Sequence, residues 1–121
     1  MSKLKVLLLR PYSEADEMIP PFGLGYLATA IRGKHEVKIL DGVKEKLTLA
    51  KFKKILEREK FDVIGIQIFT FHLNAAKSYT ALIKEASPET KIILGGPHPS
   101  CDGENIFSYF SSVLQQLMCW Y

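Results

Sequence analysis

Two adjacent glycines follow an apolar run in the last third of the sequence and could lie against a ligand. Gly95 and Gly96 come directly after the run KIIL at residues 91–94, and Pro97 follows them. Because glycine has no side chain, its backbone can approach a bound molecule closely. A simple tight turn would use the same pair, so the glycines alone leave both interpretations open.

Further candidate residues lie at the end of the preceding apolar run, residues 62–69, and directly after it. Gln67 offers an amide, Phe69 an aromatic ring and Thr70 a hydroxyl group. The amide and the hydroxyl can each hydrogen-bond a polar ligand, or they can cap the end of a strand. In either case, these residues are candidates for the same site as the glycine pair.

Metal-ligating and catalytic patterns are lacking. Cys101 and Cys119 are not in a CxxC or CxxxCxxC arrangement, so we expect no iron–sulfur cluster and no zinc site in this chain. The spacing of His72 and His98 does not demand a shared metal, and we expect each to be solvated or to serve as a hydrogen-bond partner. The sequence shows no Ser–His–Asp arrangement and no GxxxxGK[ST] motif, so we expect no catalysis by this chain alone.

Strands and helices alternate along the chain, and this alternation predicts how the candidate residues are positioned. Apolar runs predict strands at 4–9, 36–41, 62–69 and 91–94, and helical periodicity predicts helices starting near Gly23, after Thr48 and at 73–86. The pattern favours an α/β fold with a doubly wound parallel sheet of order 2-1-3-4. The carboxyl ends of such strands share one edge, where ligands bind.

The end of the chain departs from this pattern. We expect residues 1–103 to form the α/β domain and 104–121 an atypical helical tail, with apolar positions from Ile106 to Met118 at helical spacing and the fifth strand missing. An uncovered fourth strand exposes unpaired backbone groups. We therefore expect a homo-oligomer, formed through this edge or the tail.

Composition bounds the partners. The net charge of +3 over 121 residues is too diffuse for a nucleic-acid interface. The apolar run at residues 4–9 is too short to cross a membrane. Two cysteines make no disulfide framework, so we expect a cytoplasmic protein.

Five segments together resemble a known family. KVLLLRP, PPFGLGYLATAIR, HEVKILDG, FDVIGIQIFT and KIILGGPHPS are similar to the N-terminal cobalamin-binding domain of cobalamin-dependent radical S-adenosylmethionine proteins, over residues 4–100. That group includes methyltransferases and the anaerobic cyclase of chlorophyll synthesis. The resemblance implies a flavodoxin-like (Rossmann-like) fold with a corrinoid over the carboxyl edge of the sheet. It also implies a radical S-adenosylmethionine catalytic domain or subunit as partner.

The resemblance also suggests how the cofactor is held. Related domains carry an Asp-x-His-x-x-Gly motif whose histidine ligates cobalt; aligned through Gly23, Met18 takes the aspartate position and Pro20 the histidine position. We therefore expect cobalamin without a histidine on cobalt. The expected cofactor-binding residues are Pro20, Gly23, Gln67, Phe69, Thr70, Gly95, Gly96 and Pro97.

Two other functions stay open at this point, because a fold does not fix a function. The chain could be a partner-docking domain that has lost the cofactor, or a small flavin or nucleotide binder with the same topology. An absorbance spectrum of the purified protein, with and without added hydroxocobalamin, separates them.

Overall fold

A computed structural model describes residues 3–13, 22–69, 72–96 and 117–119. All seven predicted strands and helices are present, close to their expected boundaries. In chain order the elements are β1 (Lys5–Arg10), α1 (Phe22–Ile31), β2 (Glu36–Asp41), α2 (Leu49–Arg58), β3 (Val63–Gln67), α3 (Leu73–Ala86), β4 (Lys91–Gly95) and β5 (Leu117–Cys119). Thr48 caps α2 as expected, accepting a hydrogen bond from the Lys51 amide at 3.2 Å. Among the described residues, no helix is both long and apolar enough to span a membrane.

The sheet is parallel and has the order β2-β1-β3-β4-β5. The predicted order 2-1-3-4 is confirmed, but the prediction that a fifth strand is missing is wrong. Leu117 pairs with Ile92 and Cys119 with Leu94. Residues 117–119 are therefore not part of a helical tail, because pairing with a buried strand overrides a local helical periodicity. The rest of the proposed tail lies outside the described residues.

The fifth strand also changes the argument for self-association. The prediction of a homo-oligomer relied partly on an open edge at β4. That edge is paired with β5 over Ile92–Leu94. Because β4 is paired, its edge gives no reason to expect a dimer.

Helices cover both faces of the sheet. On one face, α2 and α3 enclose a core in which Leu9, Phe52, Ile64, Ile83 and Ile92 are fully buried. On the other face, Leu24 of α1 packs with Val6 and Leu8 of β1. The structure is doubly wound, as the sequence predicts.

The α1 face is less completely covered than the α2–α3 face where it crosses β3 and β4. Along these strands, the residues on the α2–α3 face are buried: Ile64, Ile66, Ile92 and Leu94. Their alternate neighbours on the α1 face are only half-buried: Val63, Gly65, Gln67, Ile93 and Gly95. These positions form a half-buried strip beside α1. In it Gly95 presents no side chain, whereas the Leu8 side chain lies against Gly65, where a Cβ would be 3.1 Å from Leu8 Cδ2.

The Tyr79 hydroxyl joins α3 to two loops at the carboxyl edge. It donates a hydrogen bond to the Leu47 carbonyl oxygen at 2.9 Å and accepts one from the Tyr12 backbone amide. Burial raises the pKa of this hydroxyl, an effect that the Tyr12 amide partly offsets. The ring contacts Phe52 edge-on, with centroids 5.2 Å apart. One buried side chain thus positions the loops that follow β1 and β2.

Replacing this tyrosine tests that role. We expect Tyr79→Phe to lower the free energy of unfolding by about 1–3 kcal/mol, because the buried Leu47 carbonyl loses its partner. Tyr26→Phe is the matched control: Tyr26 is 78% exposed, so the same change there should stay within about 0.5 kcal/mol. Urea denaturation followed by circular dichroism measures both. Equal stabilities for the two variants would contradict the proposed link.

Candidate functional site

The carboxyl edge of the sheet brings one residue from each of four strands into a row. Arg10 of β1 is in register with Asp41 of β2, and Gln67 of β3 with Gly95 of β4. Arg10 and Gln67 each lie one residue beyond the paired Leu9 and Ile66. Since side chains alternate along a strand, the whole row lies on the α1 face. We call Asp41, Arg10, Gln67 and Gly95 the edge row.

Gly96 is required by the backbone itself. Its φ of +103° lies in a region that side-chain-bearing residues rarely adopt. A Cβ atom there would lie 3.1 Å from both the amide nitrogen and the carbonyl oxygen of Ile68. The Ile68 amide in turn donates to the Gly95 carbonyl at 2.8 Å. A glycine at position 96 therefore permits the close approach between the ends of β3 and β4. The tight-turn interpretation also involves residues from Pro97 onward, which lie outside the described residues.

Gln67 presents a polar group beside Gly96. Its Cγ would lie 3.5 Å from a Cβ at Gly96, and its side chain is half-buried. Its amide has no hydrogen-bond partner among the described residues. A half-buried amide with no partner in this part of the chain is well suited to bind a ligand.

Phe69 and His72 stabilise the loop after β3. The Phe69 amide donates to Nδ1 of His72 at 3.0 Å, the His72 amide donates to the Phe69 carbonyl, and the two rings meet edge-on. His72 is fully buried. Of the two roles left open by the sequence, His72 is therefore a structural hydrogen-bond partner and not a solvated side chain. Phe69 is half-buried at the same edge.

Gly23 differs from Gly96 because no described residue requires a glycine there. It lies in the first turn of α1 and is exposed, and a Cβ would meet no atom of the described residues within 4 Å. The other expected site residues, Pro20, Thr70 and Pro97, lie outside the described residues, as does His98.

An ion pair at this edge was not foreseen from the sequence. Arg10 Nε and Nη2 donate to the two carboxylate oxygens of Asp41, at 2.8 and 2.7 Å. The pair is largely buried, with side-chain exposures of 5% for Arg10 and 14% for Asp41. The sequence offered one clue to this pair: Arg10 and Asp41 each stand at the end of a predicted strand, and the two strands are predicted neighbours.

The ion pair also organises the loop after β2. Oδ1 of Asp41 accepts the Val43 and Lys44 amides. Burial opposes the charge on Asp41, but the hydrogen bond from Arg10, those two amides and the charge of Arg10 together lower the pKa of this carboxyl. Gly42 permits the close approach, because a Cβ there would lie 2.4 Å from the Arg10 carbonyl oxygen. The edge thus offers guanidinium and amide donors beside backbone that lacks side chains. Within the described residues, no three His, Cys, Asp or Glu side chains gather as a metal site would require.

Known proteins share this architecture. The chain is similar to radical S-adenosylmethionine methyltransferase TsrM of Kitasatospora setae, solved with cobalamin and a [4Fe-4S] cluster, with a TM-score of 0.78 and 17% identity over 91% of this chain and 23% of that one. A second TsrM structure, with tryptophan substrate and an S-adenosylmethionine analogue, has a TM-score of 0.75 and 18% identity over 88% of this chain and 21% of that one. These likenesses confirm the flavodoxin-like fold.

Sequence comparison extends the likeness. The chain is 34% identical over 104 residues to an uncharacterised methyltransferase, PH0819, of Pyrococcus horikoshii, which covers 81% of this chain and 23% of that protein. The chain thus spans about a quarter of the length of the relatives it matches. The B12 binding domain family matches residues 13–113, most of the sequence. The chain therefore belongs to the B12 binding domain family.

Proposed function

We propose that this chain is the corrinoid-holding module of a radical S-adenosylmethionine enzyme, such as a methyltransferase or a cyclase, and that it works with a catalytic domain or subunit that supplies the iron–sulfur cluster. The observation that carries the proposal is the strip on the α1 face of β3 and β4. There Gly95 leaves β4 without a side chain, beside the Gln67 amide, which no described residue pairs.

The described residues fit cobalamin. The corrin ring would lie over the carboxyl edge, near Gly23 and Phe69, and the nucleotide tail would lie along the half-buried strip. Gln67 would hydrogen-bond the tail, and Gly95 and Gly96 would allow close approach; we assign Pro20, Thr70 and Pro97 to the same site from the family resemblance. Bound cobalamin would supply a cobalt centre able to carry a methyl group. The chain's own contribution is to bind it, orient it and shield its lower face from water.

We further propose that no histidine of this chain ligates cobalt. Pro20 takes the position of the usual ligand, and proline has no donor nitrogen for a metal. The two described histidines have other roles: Nδ1 of His35 accepts the Leu4 amide and Nδ1 of His72 accepts the Phe69 amide. His35 lies at the opposite edge of the sheet, and His72 is fully buried. We expect the visible spectrum of bound cobalamin to lack the signature of histidine coordination.

Removing the Gln67 amide tests the assignment of the tail. We expect the wild type to bind hydroxocobalamin and Gln67→Ala to bind it about tenfold more weakly, the effect of one lost hydrogen bond. Visible absorbance during titration measures the affinity. Folding should change little, because no described residue pairs with this amide, and thermal unfolding checks this. Gly96→Val is the poorer probe, since its backbone would be strained with or without ligand.

Absence of cobalamin binding by the wild type would refute the proposed function and favour a cofactor-free docking domain. A yellow flavin spectrum in the purified protein would favour the flavin alternative. Equal affinity of wild type and Gln67→Ala would show that the tail lies elsewhere.

Alanine substitutions at two glycines of α1, Gly23 and Gly25, form a matched pair that tests where the corrin ring lies. Alanine at either Gly23 or Gly25 meets no atom within 4 Å, so each change should raise the free energy of unfolding, by up to about 1 kcal/mol, through better helix propensity. Only Gly23→Ala should weaken cobalamin binding, because only Gly23 is an expected contact. Chemical denaturation and the same titration measure the two effects. Identical affinities for both variants would remove Gly23 from the site.

A further inference from the structure

Arg10 has donor capacity that its ion pair does not use. A guanidinium group carries five N–H donors, and the bonds to Asp41 use one on Nε and one on Nη2. The structure gives Arg10 no other side-chain partner among the described residues. No described residue uses Nη1. Arg10 ends β1, so this largely buried arginine holds fixed, unused donors at the carboxyl edge.

The charge of Asp41 determines which kind of acceptor binds best to the unused donors of Arg10. The carboxylate neutralises the guanidinium in a bidentate pair, so the pair as a whole has no net charge. An anion approaching Nη1 would also meet the nearby negative charge of Asp41. A neutral carbonyl oxygen gains the hydrogen bonds without that repulsion. The arrangement favours a carboxamide over a phosphate or a carboxylate.

The edge row places the Arg10 donors on the strand next to Gln67. Arg10 and Gln67 end the neighbouring strands β1 and β3, so one spacing of about 4.8 Å separates their backbones. A corrin ring carries carboxamide side chains around its rim, and its nucleotide tail leaves from one side. If Gln67 and Gly95 hold the tail, Arg10 lies on the side of Gln67 away from Gly95, where a carboxamide of the ring can reach it.

We propose that Arg10 hydrogen-bonds a carboxamide of the corrin ring through Nη1, and that Asp41 acts as its positioning residue. This inference rests on the proposed function, and it assigns a ring subsite that is separate from the tail subsite. The pair then serves two purposes at once: it ties the loop after β2 to β1 and aims a rigid donor at the ligand. Rigidity matters because a fork fixed by two hydrogen bonds loses little freedom on binding.

Two ligands separate the ring from the tail. Hydroxocobalamin has both, whereas dicyanocobinamide keeps the ring carboxamides and lacks the nucleotide tail. We expect Arg10→Lys, which keeps a positive charge beside Asp41 but loses the planar fork, to weaken binding of both ligands by a similar factor of about ten. Gln67→Ala should weaken binding of cobalamin alone. Titrations of the full-chain wild type and both variants with each ligand, followed by visible absorbance, measure all six affinities.

A test of Asp41 as a positioning residue needs a measurement that a purely structural role would not change. In Asp41→Asn the Arg10 charge is no longer neutralised, so the preference among ligands should shift. We expect this variant to bind a cobalamin monocarboxylic acid better, relative to cobalamin, than the wild type does. An unchanged ratio between the two ligands would overturn the positioning role.

Each remaining outcome decides the inference. If the wild type binds neither corrinoid, the proposed function fails and the inference fails with it. If the wild type binds cobalamin, the inference alone is overturned in three cases: Arg10→Lys binds both ligands as tightly as the wild type, its loss is confined to cobalamin, or the wild type does not bind cobinamide. Should Arg10→Lys fail to fold, the double variant Arg10→Gln, Asp41→Asn removes both charges together, and the same equal loss is expected for both ligands.

Discussion

The bidentate ion pair between Arg10 and Asp41 joins the ends of the first two strands, and Asp41 also holds the start of the loop that follows the second. Its two hydrogen bonds, at 2.8 and 2.7 Å, lie at the edge where a parallel sheet binds ligands. Breaking a largely buried pair on one side leaves an uncompensated charge, a penalty of roughly 3 kcal/mol or more. The hydroxyl of Tyr79, on α3, contacts the loops that follow β1 and β2. The shape of the candidate site therefore depends on polar contacts made behind it.

The sequence predicts the sheet well because its strands and helices obey simple periodicities. The regular alternation of strand and helix, with right-handed crossovers, leaves the order 2-1-3-4 as the natural arrangement. The fifth strand could not be found in this way. Leu117–Cys119 is too short to show a period, and its pairing with β4 depends on a partner 25 residues earlier in the chain.

The candidate site was predicted in part. The glycine pair and Gln67 stand out by residue type and position, and the structure places Gln67 in register with Gly95. The need for a glycine at position 96 follows from its backbone angle, which no sequence pattern gives. The Arg10–Asp41 pair was missed because the two residues are 31 positions apart and only the register of β1 with β2 brings them together. His72 likewise needs the folded loop before its role as a buried acceptor becomes visible.

The two faces of the sheet have different tasks. The α2–α3 face is a closed apolar core that stabilises the domain, whereas the α1 face stays half-open along β3 and β4. A half-open strip beside glycines is unfavourable for stability alone, since apolar surface remains in contact with water. It is understandable as space kept for a large, mostly neutral ligand. Membership of the B12 binding domain family gives that ligand a chemical identity.

The central claim is that a corrinoid lies over the carboxyl edge and along the α1 face of this chain. Amide NMR spectra of the full chain, recorded with and without hydroxocobalamin, test it most directly. The account predicts shifts at Tyr12, Gly23, Gln67, Phe69 and Gly96, and little change at the amino ends of the strands, at Lys5, Glu36, Val63 and Lys91. Shifts confined to the amino edge or to the α2–α3 face, or none at saturating ligand, would contradict it.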